Sequence, residues 1–113
     1  MKGSVSMSKN TTSSETNMEI HEERIITDPT LVLTLLHEKK RMIVNLLLKN
    51  AMTIQELKNA TKMNPGTIKR HLDDLMKNDL IFIAEERLND YNIKMKFYQA
   101  TARRFIINFT LPE

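Results

Sequence analysis

The chain contains no cysteine, only two glycines, and no apolar run near the ~20 residues that a bilayer-spanning helix needs. Without cysteine there are no disulfides, no thiolate metal sites and no cysteine nucleophile, which fits an intracellular, cytoplasmic protein. Two glycines cannot furnish the glycine-rich loops that cradle phosphates, and neither G-x-G-x-x-G, a P-loop nor G-x-S-x-G occurs. The first ten residues lack the apolar stretch of a secretory signal, so none is expected. His21, His37 and His71 are not at metal-ligand spacing, and the adjacent Glu85 and Glu86, if in a strand, face opposite sides. The expectation is a protein that is not an enzyme, has no cofactor or metal, and meets neither a membrane nor an obvious small-molecule ligand.

At 113 residues the chain has the length of one domain, and 41% hydrophobic with 27% charged residues is an ordinary globular balance. Its net charge of +3 is unevenly spread, with −1 over residues 1–27 and +4 over residues 28–113. A basic excess in the part that folds points mildly to a polyanionic partner. Residues 1–19 are Ser, Thr or Asn at 10 of 19 positions and bury too little apolar surface to offset their ordering entropy. They are expected to be a flexible tail, with residues 20–113 forming one domain. Residues 20–27 are either a lead-in helix or an extended arm.

Helix starts are explicit. Asp28-Pro29 places a capping carboxylate before a proline whose missing amide costs nothing there, and predicts a helix to about Leu36. That helix is apolar nearly all round, as in a core or a dimer contact. A second is predicted over about 38–49, with Met42, Ile43, Leu46 and Leu47 at helical spacing and Lys39, Lys40 and Arg41 in its first turn. Thr53-Ile54-Gln55-Glu56 is a capping box, predicting a short helix to about Ala60 with Ile54, Leu57 and Ala60 inward. Asn64-Pro65 repeats the cap-plus-proline start for a fourth helix to about Asn78, its apolar face being Ile68, Leu72, Leu75 and Met76.

The period then changes. Residues 80–83 are an apolar run, and Ile93, Met95 and Phe97 alternate with Lys94, Lys96 and Tyr98 across a polar tip at 88–92, which predicts a β-hairpin. Phe105, Ile107 and Phe109 alternate again, as a third strand or a dimer contact. Two helices joined by a three-residue turn are a helix-turn-helix unit, whose second helix fits the DNA major groove; the hairpin that follows is a wing. The fold class is therefore mainly α with a small hairpin: a winged helix-turn-helix with a three-helix core.

The segments MTIQELKNATKMNPGTIKRHLDDLMKNDLI, DPTLVLTLLHEKKRMIVNLLL and KFYQATARRFII together resemble the ArsR-type winged-helix transcription regulators, especially archaeal ones, over about residues 27–109. The resemblance implies a homodimer that binds double-stranded DNA, with the fourth helix reading bases and the wing touching the backbone. Thiolate metal sensing is not carried over, since the cysteines are missing. On the fourth helix Asn64, Gly66, Thr67, Lys69 and Arg70 lie off the apolar face and are the candidate DNA contacts, Arg70 being suited to a guanine. Arg87, Lys94 and Lys96 are the candidate wing cations. His71 is expected to pack rather than touch DNA. Asp73 and Asp74 would repel phosphate, and they favour the alternative of a winged helix that assembles with other proteins.

Overall fold

The computed structural model describes residues 20–112. The elements are β1 (Arg24–Ile26), α1 (Pro29–Leu36), α2 (Glu38–Lys49), α3 (Ile54–Thr61), α4 (Pro65–Lys77), β2 (Ile81–Leu88), β3 (Lys94–Ala100) and β4 (Phe105–Ile107). The expected tail falls on residues 1–19, outside the described residues.

Each helix begins where its cap residue stands. The Asp28 carboxylate accepts the Thr30 amide at 2.8 Å, and Pro29 opens α1. A single extended residue, His37, separates α1 from α2, and its Nδ1 faces the Lys40 amide at 3.4 Å as the N-cap of α2. In α3 the capping box is closed both ways: Glu56 N–H donates to Thr53 Oγ1 at 3.1 Å, and Thr53 N–H donates to Glu56 Oε1 at 2.9 Å. Lys62 then adopts the left-handed conformation (φ 64°) that stops α3 and turns the chain toward α4.

The joint between α4 and the hairpin is a Schellman motif. Asp79 N–H donates to Met76 O and Leu80 N–H to Leu75 O, both at 3.0 Å, with Asp79 at φ 58°. Leu75 and Leu80 are both fully buried, which adds the hydrophobic contact that accompanies this motif. Arg24 donates to Asp79 O at 2.6 Å and to Thr101 Oγ1 at 2.7 Å, so the N-terminal strand clamps the same joint.

Ile43, Leu47, Leu57, Ile68, Leu72, Leu75 and Leu80 form the centre of the core, contributed by α2, α3, α4 and the start of the hairpin. β2 and β3 pair antiparallel, with a register irregularity between Ile83 and Glu85, and Met52 bridges to Tyr98 on the other edge of β3. This is a winged helix-turn-helix: a helical core carrying a two-stranded wing. The expected helices and wing are all present.

Several details differ from the sequence reading. In α2 the buried set is Ile43, Val44 and Leu47, whereas Met42 is exposed; the core-facing stripe is rotated toward Val44. Ala60, expected inward, is exposed, because only Leu57 of the short α3 reaches the core fully. Ile93 belongs to the turn and is exposed, while β2 runs on through the polar residues to Leu88. Phe105 to Ile107 do form a strand, but it pairs in parallel with β1 rather than with the hairpin, which resolves residues 24–26 as an extended arm.

Candidate nucleic-acid interface

Helix α4 turns Ile68, His71, Leu72 and Leu75 inward and leaves Gly66, Lys69, Arg70, Asp73, Asp74 and Lys77 exposed. Its N-terminus is shaped by Asn64, whose Oδ1 accepts the Gly66 amide at 2.7 Å. A Cβ at Gly66 would lie 3.1 Å from that oxygen, so glycine keeps the cap relaxed as well as leaving the helix start open. Thr67 is half-buried beside it.

The two aspartates are both matched by lysines. Lys69 Nζ lies 2.7 Å from Asp73 Oδ1, one helical turn on, and this hydrogen bond raises the Lys69 pKa above its usual value. Lys40 of α2 lies 3.3 Å from Asp74, with its own side chain only 16% exposed. The acidic pair thus sits in ion pairs that tie α4 to itself and to α2, and among the described residues Arg70 has no ion-pair partner. Arg70 in the N-terminal half of the helix, and Lys77 at its far end, are the cations this face leaves uncommitted among the described residues.

The wing is different. Arg87 is held twice, by Glu85 at 2.7 Å and over the Phe97 ring at 4.2 Å to the centroid, and Lys94 lies 3.4 Å from Glu86. Lys96 is exposed and, among the described residues, has no ion-pair partner. Tyr98, buried at the base of β3, connects the two regions: burial pushes its phenol upward, while Lys69 opposes that shift and Asp73 and Glu86 add to it. The Lys69–Asp73 edge of α4 and the base of the wing therefore share one electrostatic neighbourhood.

His71 is packed, as expected, at 6% exposure, and its Nδ1 has no hydrogen-bond partner among the described residues. Its ring lies 5.3 Å from that of His37 at the α1–α2 junction. Burial lowers the His71 pKa, and the nearby Lys40, His37 and Arg70 lower it further against the opposing effect of Asp74. Sequence reasoning missed this pair and the Lys40–Asp74 bridge. Both join residues 34 positions apart, and no local spacing announces such contacts. Among the described residues no group of three or more His, Cys, Asp or Glu side chains is arranged to hold a metal ion.

Residues 37–81 match the family model described as "Bacterial regulatory protein, arsR family". The match runs from the His37 cap through α4 to the first residue of β2, so the wing beyond Ile81 and the paired terminal strands lie outside it. No curated protein matches the chain.

Proposed function

From the match of residues 37–81 to the arsR-family model we propose that the protein is a sequence-specific double-stranded-DNA-binding regulator of transcription, with residues 20–113 as its DNA-binding domain. Helix α4 enters the major groove by its N-terminal half. Arg70 is the direct reader, Lys69 and Thr67 flank it, and the Asn64–Gly66 turn approaches the backbone. Lys96 meets phosphate from the wing, with Arg87 and Lys94 exchanging their carboxylate partners for it. Exposed ion pairs are worth little, so such exchange is cheap.

The observation that carries this reading is the exposed face of α4, where both aspartates are paired and Arg70 is not. That arrangement supports DNA over protein assembly, because each carboxylate of the acidic pair has a lysine beside it. The protein acts in the cytoplasm as a homodimer, because one recognition helix rarely supplies enough affinity. Exposed apolar side chains support the dimer: Leu33, 72% exposed, and Leu36 on α1, and Ile25, Ile106, Ile107 and Phe109 in and after the β1–β4 pair. Two-fold symmetry then calls for half-sites about one helical turn, ~34 Å, apart.

Titrating a random-sequence duplex pool with the protein at increasing salt tests the reading. Phosphate engagement gives an affinity that falls linearly on logarithmic axes, with a slope of about −0.9 per contacted phosphate. A flat response, or no binding at low salt, refutes it.

A further inference from the structure

The wing leaves α4 at Asp79–Leu80 and ends at Thr101, and Arg24 of β1 reaches both places at once. Its Nη1 donates to Asp79 O at 2.6 Å and to Thr101 Oγ1 at 2.7 Å. Both bonds are short, as suits a charged donor. The Thr101 hydroxyl in turn lies 2.9 Å from Asp79 O, and the Thr101 amide donates to Leu80 O at 3.1 Å. Entry and exit of the wing are thus tied together by one cation and one hydroxyl, and Thr101 is only 5% exposed, so water has little access to replace them.

The terminal strands deliver Arg24 to this place. β1 alternates: Arg24, half-buried, and Ile26, 3% exposed, face the body, while Ile25 between them points outward. The parallel ladder with β4 fixes the backbone, Arg24 N–H donating to Arg104 O at 3.1 Å and Asn108 N–H to Ile26 O at 3.0 Å. The guanidinium carbon lies 5.7 Å from the centroid of Phe105, its register partner on β4. The Glu22–Arg103 and Glu23–Arg104 ion pairs close the arm just before it. An arginine held in this way loses little freedom in making its two bonds.

What these bonds control is direction. On its other edge β3 is pinned at Tyr98, whose amide and carbonyl each bond Met52 at 2.9 Å. A single pin leaves rotation about itself. Thr101 lies three residues from Tyr98 on one side and Lys94 four residues on the other, ~10 and ~13 Å along the chain. A shift of the joint is therefore passed to the wing cations with opposite sign and similar size. About 1 Å takes a hydrogen bond from its best length past its limit.

We propose that Arg24 is a positioning residue for DNA binding: it holds the α4–wing joint so that Lys94 and Lys96 meet phosphate while α4 occupies the groove. The proposal rests on the regulator reading above. Arg24 itself touches no DNA in it and acts through Asp79 and Thr101.

Two measurements on the full chain test it. In the free protein, Arg24→Ala should quicken amide hydrogen exchange roughly tenfold or more at Leu80 and Thr101, with Leu57 and Leu72 in the core helices unchanged. An equal rise at all four makes Arg24 a general stabiliser and overturns the proposal, as does no rise at any. With a duplex at about 0.1 M salt, Lys96→Ala should cost roughly five- to tenfold in affinity in the wild-type chain and almost nothing in the Arg24→Ala chain. Arg70→Ala should cost the same in both, because α4 keeps its own place. An equal Lys96 cost in both backgrounds, or none in either, overturns the proposal while duplex binding by the wild type upholds the regulator reading. No duplex binding by the wild type defeats that reading and the proposal with it. Should Arg24→Ala not fold, Arg24→Met carries the same comparisons, since it keeps an apolar stem and removes the donors.

Discussion

The helix-turn-helix and the wing follow one another in the chain, share the core through Leu75 and Leu80, and differ in charge. Residues 38–79 carry a net charge of +4, whereas residues 80–100 carry zero. In the first region two of five acids, Asp73 and Asp74, are paired with lysines, and most of the nine bases, Arg70 among them, are in no ion pair among the described residues; in the second, two of three cations are paired with an acid. The contrast separates two tasks that a winged helix can combine. A field that draws a polyanion belongs to α4 and its neighbours, while the wing offers a neutral stem and an apolar apex. Fold alone does not distribute these tasks, since both regions are positioned by the same buried joint.

Breaking that joint has the largest expected effect. Leu80→Ala removes a fully buried side chain from the contact that fixes the wing to α4, and should cost about 2–5 kcal/mol in chemical denaturation. It should also blur the distinction between the two regions, because the wing then loses its fixed direction. Next comes the proposed reading face. Arg70→Ala should lower affinity for a selected duplex by about 1–3 kcal/mol with an unchanged melting temperature. Lys96→Ala on the wing should weaken all duplexes alike and flatten the salt slope by ~1. Equal loss of sequence preference in both variants would erase the comparison.

A smaller effect comes from beneath α4. The folded His71 resists protonation because it is buried beside Lys40 and Arg70, whereas the unfolded chain takes up a proton at the ordinary value near 6.5. The unfolded state then binds more protons, so stability is complete above about pH 6.5 and declines as pH falls through the interval down to the depressed folded value. Thermal melts from pH 7.5 downward should show this decline, and His71→Leu should flatten it. The smallest effect is expected at the Glu85–Arg87 pair. Glu85→Gln breaks an exposed ion pair worth at most about 1 kcal/mol and frees Arg87, so duplex affinity should rise slightly rather than fall.

Much of this architecture was legible because its signals are local. Asp28-Pro29, the Thr53–Glu56 box and Asn64-Pro65 each state a helix start in two to four residues, and each is used as a cap. The alternation through Lys94 to Tyr98 likewise gave a strand. Its partner was harder to delimit, because β2 continues through Glu85, Glu86 and Arg87, whose pairing is sustained across the strands rather than by apolar period. The β1–β4 pair joins residues about 80 apart and left no local trace beyond an alternating Phe105, Ile107 and Phe109. In the site, residue types and helix face could be read directly, so Lys69 and Arg70 were found outside the core. Which of them is free depends on Asp73 and on a lysine one helix away, and only tertiary structure supplies Lys40. The same holds for His71: its place on the helix was visible, and its partner His37 was not.

The contrast between the two regions is tested most directly by following the backbone amides of the full chain by NMR while a selected duplex is added. Shifts concentrated at residues 64–70, with Lys96 responding and residues 89–93 silent, are the predicted outcome. Shifts centred on the wing tip, with the start of α4 unmoved, would contradict it.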